Sequence, residues 1–153
     1  MQPIIECVPN FSEGRNLQTI KAITDAIESV EGIRLLDVDP GKATNRTVVT
    51  LVGSPDDVIE AAFRGIQKAS TLIDMRNHTG EHPRMGATDV CPLIPISGIS
   101  MEETAVYAKK LAERVAKELH IPTYLYEYAQ SNPDRKNLSV IRAGEYEGFF
   151  DKT

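Results

Sequence analysis

The stretch IRLLDVDPGKATNRTVVTLV, residues 33–52, holds two runs rich in aliphatic and β-branched residues, 33–38 and 46–52. Between them DPGKATN has the turn chemistry of a hairpin loop, so the stretch reads as two adjacent strands. Upstream, Leu17, Ile20, Ile23, Ile27 and Val30 recur every three or four residues, the period of a helix face, from Asn16 to an end at Gly32. Before that helix, residues 3–8 form a short strand-like run that breaks at Pro9, Asn10 and the turn of residues 12–14. Downstream, Ser54-Pro55-Asp56-Asp57 supplies an N-cap hydroxyl, a proline at the first helical position and an acid at the third. Ile59, Ala62, Phe63, Ile66, Ala69 and Ile73 mark the buried stripe behind it. Residues 88–96 read as a strand that Pro92 and Pro95 push toward a sheet edge or a bulge. A last helix opens with the capping box Ser100 to Glu103, carries Ala105, Ala108, Leu111, Ala112, Val115 and Leu119 inward, and stops before Pro122. Residues 124–128 are a final strand candidate, and the polar tail from Ser131 carries no assignment.

The order is β-α-β-β-α-β followed by one more helix and strand. That is the α+β, ferredoxin-like split β-α-β arrangement, an antiparallel or mixed sheet with helices on one face. The 153 residues suit a single domain, 1–153, and 41% hydrophobic with 25% charged residues is ordinary globular composition. With 17 basic and 22 acidic residues the net charge is −5, without a dense basic tract, which argues against nucleic acid as a partner. No apolar run reaches the ~18 residues of a membrane span, and Glu6 interrupts the first one. A cytoplasmic protein without a membrane partner is expected. Cys7 and Cys91 each lie in an apolar run and read as two buried thiols in a reducing compartment rather than a disulfide scaffold, with a single long-range disulfide as the alternative.

Three segments are polar and turn-rich: residues 9–15, 37–46 and 75–89. In a small α+β domain such loops can converge at one end of the sheet, where binding residues collect. The third holds His78 and His82 beside Glu81, Asp89, Arg76 and Arg84. A histidine titrates near neutrality and can take or give a proton, which suits general acid-base work, while exposed loop histidines are the plain alternative. His78 to His82 also has the H-x-x-E-H spacing of inverted zinc peptidases. Gly80 between the imidazoles and Pro83 after the second disfavour the helical turn that such a zinc site requires, so no metal is expected. Lys42, Arg46, Arg76 and Arg84 can give an acidic protein a locally basic pocket for a carboxylate, or stand as solvated charge. Asp37 and Asp39 alternate along a strand and should face one side. Asn10, Ser12 and Asn45 offer neutral donors and acceptors, or fill turn roles. His120 fits a helix C-terminus. No glycine-rich phosphate loop appears, so no nucleotide cofactor is expected.

CVPNFSEG (7–14), LLDVD (35–39), TNRTV (44–48), GEHPRMGATDVCP (80–92) and IRAGEYEG (141–148) together closely resemble the N-terminal subdomain of the glutamate formiminotransferase family, also found in formiminotransferase-cyclodeaminase. The resemblance spans essentially the whole chain. It implies transfer of a formimidoyl group from N-formimino-L-glutamate to tetrahydrofolate, the co-substrate, in histidine degradation. It also implies two ferredoxin-like subdomains with the site between them, of which this chain carries the first. The family's catalytic histidine falls on His82. Asp39, Asn10 and Arg46 lie in matching motifs, and their roles rest on chemistry: Asp39 to stabilise positive charge, Asn10, Arg46 and Arg84 to hold substrate. Without the second subdomain the chain is expected to pair with it or to self-associate as a homo-oligomer. A non-catalytic folate-binding or interaction module with the same fold is the alternative.

Overall fold

The computed structural model describes residues 2–73, 88–121, 123–127 and 139–143. In chain order its elements are β1 (Ile4–Cys7), β2 (Asn10–Phe11), α1 (Leu17–Glu28), β3 (Ile33–Gly41), β4 (Arg46–Gly53), α2 (Pro55–Leu72), β5 (Thr88–Ser97), α3 (Met101–Leu119), β6 (Thr123–Glu127) and β7 (Ser139–Ala143). β1 and β2 are successive pieces of one line: both pair with β4 on one side and with β5 on the other. Across the sheet the order is β3, β4, β1 with β2, β5, β7, β6, and every pairing is antiparallel. The first four positions, from β3 to β5, have the strand order of a split β-α-β unit, so the α+β, ferredoxin-like expectation agrees with the architecture. Two strands, not one, follow α3. β7 comes from the tail left unassigned by sequence and inserts between β5 and β6.

The strand expected over residues 88–96 is present as β5, but its expected edge placement is corrected. β5 is interior, pairing with β1 and β2 on one side and, over Cys91 to Leu93, with β7 on the other. Both prolines are accommodated by strand alternation. The Pro92 carbonyl accepts from the Val8 N–H at 3.1 Å, so Pro92 faces β1. Three residues on, Pro95 faces the opposite edge, past Leu93, where pairing with β7 has ended. The expected bulge is present beyond Pro95: Ile5 pairs with Pro95 and Ile4 with Ser97, which leaves Ile96 as the extra residue.

Other boundaries move for local reasons. β2 lies inside what reads as loop, because the chain resumes its pairing one residue after Pro9. The helix expected to run to Gly32 ends at Glu28. Ser29 caps it, and Gly32 at φ +90° makes the turn into β3. The hairpin loop shrinks to residues 42–45, because β3 continues through Pro40 to Gly41. β3 pairs with β4 alone among the described residues, and its register shifts between Leu35 and Asp37, leaving Leu36 bulged and exposed.

All three helices pack on one face. α2 lies between α1 and α3, with α1 over β3 and α3 over β5, β6 and β7. Ile20, Ile23 and Ile27 of α1, the whole expected stripe of α2, and Ala108, Leu111, Ala112 and Val115 of α3 are buried against Ile5, Phe11, Val49, Leu51 and Leu93 of the sheet. Each fully buried aliphatic side chain contributes about 1.5–3 kcal/mol of transfer free energy. Leu17 is the exception to the α1 stripe, 68% exposed at the first helical position. On the outer side of the helices, Arg114 stacks on the Phe63 ring at 3.8 Å and bonds Glu60 at 2.6 Å. Glu60 also takes Arg64 at 2.8 Å, and these two guanidinium groups, Arg114 first, hold its carboxyl below the usual range. No helix among the described residues is long and apolar enough to cross a membrane.

The two serine caps differ. Ser100 accepts from the Glu103 N–H at 3.0 Å while Glu103 Oε1 accepts from the Ser100 N–H at 2.9 Å, the full reciprocal box. Ser54 makes no such bond. Its hydroxyl donates to Asp57 Oδ2 at 2.8 Å, so the cap expected from sequence is a side-chain pair instead. Ser100→Ala is therefore expected to cost about 1 kcal/mol in urea unfolding, and Ser54→Ala a few tenths at most.

Candidate functional site

Pro9 cannot donate to β4 and Pro92 cannot donate to β1. The central strand is therefore interrupted where the two prolines come close to one another. Its pairing is carried across by acceptors: the Val49 N–H donates to the Pro9 carbonyl at 3.0 Å, and the Val8 N–H to the Pro92 carbonyl. The Val8 carbonyl, which a regular ladder would pair with a donor from residue 92, instead accepts from Asn10 Nδ2 at 3.1 Å. Asn10 thus completes the hydrogen bonding of a proline-broken strand, and that fixes its side chain.

Two of the three polar segments meet at this end of the sheet. The Gly14 N–H donates to Asn45 Oδ1 at 2.8 Å, the Thr47 hydroxyl donates to the Glu13 carbonyl, and Arg15 Nε donates to the Lys42 carbonyl at 2.9 Å. Asn45 adopts the left-handed conformation at φ +53°, which asparagine tolerates better than most residues. Contact at Gly14 is tight: a Cβ there would lie 2.2 Å from the Gly41 carbonyl oxygen and 2.5 Å from the Arg46 nitrogen. Thr88 pairs with Phe11, so residues 88 onward enter the sheet beside the same loop. Residues 74–87, which carry His78, His82, Arg76, Glu81 and Arg84, lie outside the described residues.

Register shows which sequence-predicted residues the fold brings together. On β4, Thr47, Val49 and Leu51 are buried under the helices, while Arg46, Val48, Thr50 and Val52 alternate to the other face. Val48 pairs with Asn10 on one side and with Asp39 on the other. Asn10, Val48 and Asp39 therefore form a row across three strands on the face away from the helices, with Asn10 and Asp39 about 10 Å apart. Arg46, two residues from Val48, joins the same face. Asp37 pairs with Thr50, so it shares that face with Asp39, as the alternation predicts, and both are exposed. Ser12 and Asn45 are buried instead and serve the loop. His120, exposed at φ +58°, ends α3 as expected. Sequence reasoning missed the lock among Gly14, Asn45 and Thr47. The only sign of it was the glycine of one turn and the asparagine of the other, two residue types that permit close approach and positive φ.

Residues 4–153 match the family described as formiminotransferase domain, N-terminal subdomain. The chain belongs to it. Among curated relatives of this formiminotransferase subdomain, formimidoyltransferase-cyclodeaminase of Rattus norvegicus is 55% identical over 152 residues, covering 99% of this chain and 28% of the relative. Glutamate formimidoyltransferase of Streptococcus pyogenes serotype M1 is 47% identical over 152 residues, covering 99% of this chain and 51% of the relative. The formiminotransferase cyclodeaminase-like protein of Arabidopsis thaliana is 29% identical over 159 residues, with 95% of this chain and 54% of the relative covered. The chain thus spans about a quarter of the first of these relatives and about half of the second.

Two substitutions test how this formiminotransferase subdomain holds this end of its sheet. Asn10→Asp replaces the donor to the Val8 carbonyl by an ionised carboxylate, and is expected to cost about 1–3 kcal/mol at neutral pH. An aspartate held against a carbonyl has its folded pKa raised, so the deficit should shrink as pH falls through that value and the acid becomes a donor. Urea midpoints at pH 7 and near pH ~4 check both statements. Gly14→Ala should cost about 2 kcal/mol or more, because the new carbon meets backbone rather than a movable side chain.

Proposed function

We propose that this chain is the N-terminal catalytic half of a cytoplasmic glutamate formimidoyltransferase, which moves a formimidoyl group from N-formimino-L-glutamate to N5 of tetrahydrofolate in histidine degradation. The observation that carries the reading is the 152-residue match to a protein named glutamate formimidoyltransferase, at 47% identity. Supporting it, Asn10, Asp39 and Arg46 share one end and one face of the sheet, beside the strand that follows the GEHPRMGA segment.

The chemistry assigns roles. Attack by folate N5 on the amidine carbon requires that a proton leave N5 and that one reach the departing glutamate nitrogen. His82 serves both steps, base first and acid second. The tetrahedral intermediate keeps positive charge on its nitrogens, which a carboxylate at Asp39 stabilises. Arg46 and Arg84 hold a substrate carboxylate, and Asn10 orients the substrate through the polar atoms of its amide. A second subdomain of similar size supplies the opposite wall of the site, and the assembled protein is a homo-oligomer.

The test supplies tetrahydrofolate and N-formimino-L-glutamate to the full-length protein that contains this chain, and follows the change in folate absorbance. Turnover is expected, with His82→Ala lowering it on the order of 10²- to 10⁴-fold while the unfolding midpoint stays in place. Absence of turnover in the intact protein would overturn the reading in favour of a folate-binding module without catalysis.

A further inference from the structure

Cys7 and Cys91 are the two cysteines of the chain, and they meet. Their sulfurs lie 3.2 Å apart, both side chains are buried, and both are free thiols. The sheet holds them there. Cys7 pairs with Leu93, and the bond from the Val8 N–H to the Pro92 carbonyl fixes the register, so Cys91 is the diagonal neighbour of Cys7 on the adjacent strand. Both belong to the central core cluster, on the opposite face of the sheet from Asn10 and Asp39. They are separated by 84 positions in sequence, so a bond between them would close β1, α1, the hairpin, α2 and the segment up to β5 into one covalent ring.

We propose that Cys7 and Cys91 are a modification site: a hydroperoxide converts the pair to an intramolecular disulfide that staples β1 to β5. In the first step a thiol sulfur attacks the peroxide oxygen. The O–O bond breaks, water leaves when the peroxide is hydrogen peroxide, and the sulfur becomes a sulfenic acid. In the second step the neighbouring sulfur attacks that sulfur, its proton leaves with the hydroxyl as a second water, and the S–S bond forms. Two thiols give up two electrons in total, and one peroxide takes them. With the second thiol already in contact, disulfide formation outruns further oxidation to sulfinic acid. Burial, and then the hydrogen bond with Cys91, push the Cys7 thiol well above its ordinary range, which makes the first step slow and keeps the pair reduced without an oxidant. The staple would fix the strand bearing Asn10, three residues past Cys7, to the strand that begins at Thr88, three residues before Cys91.

The test treats the folded chain with hydrogen peroxide, then unfolds it in the presence of a thiol-alkylating reagent and measures the intact mass. A species lighter by two hydrogens and refractory to alkylation is expected. Its digest should join the peptides of Cys7 and Cys91, and dithiothreitol should restore two alkylatable thiols. The Cys91→Ser chain should instead collect oxygen on Cys7, with no loss of two hydrogens. Two thiols still alkylatable after the methionines have become sulfoxides would overturn the proposal, as would sulfinic acid or a disulfide between chains as the main product.

Discussion

The structure depends on a central strand that proline breaks and acceptors rejoin. In a sheet with β1 and β2 at its middle, every pairing outward, toward β3 on one side and β6 on the other, is referenced to this line. Pro9 and Pro92 each remove a donor close to one another, a defect that would expose unpaired carbonyls in the best-buried part of the fold. The bonds to the Pro9 and Pro92 carbonyls keep both neighbours in register, and the Asn10 amide supplies the donor that Pro92 lacks. Because Phe11 directly follows, seated under the helices, the same break that needs Asn10 also fixes which way it faces.

This junction explains how the loop-bearing end of the sheet is built. Once β2 is in register with β4, the residues after Phe11 are carried over the tip of the β3–β4 hairpin, and the bonds from Gly14 to Asn45 and from Thr47 to Glu13 close the two loops on each other. Which face Asn10 and Asp39 take is then a matter of alternation alone. Val48 looks away from the helices, and whatever pairs with it does the same, so Asn10 and Asp39 join it from opposite sides.

Much of the fold was legible because its signals are local and periodic. The α2 stripe from Ile59 to Ile73, the Ser100 capping box and the hairpin of residues 33–52 all follow from spacing and side-chain chemistry within a few turns of chain. The misreadings share one cause, long-range pairing. Pro92 and Pro95 look like edge residues until the two sides of β5 are known to be used over different lengths, and Asn10-Phe11 looks like loop until β4 and β5 are seen to flank it. β7 was invisible for the same reason, since a short strand in a polar tail is held by its neighbours rather than by its own pattern. Of the residues that sequence chemistry singles out, backbone register puts Asn10, Asp39 and Arg46 on one face. The Gly14–Asn45 lock was hidden, because a contact across 31 positions leaves no periodic trace.

The outer border of the sheet at β3 has a further consequence for how copies of this chain behave when crowded. A flat, unpaired strand invites a neighbour's strand to dock along it, and repeated docking builds insoluble stacks. Here the bulge at Leu36 bends that border, Pro40 withholds a donor, and Asp37 and Asp39 set negative charge beside it. That acidic pair thus works against sheet-to-sheet aggregation.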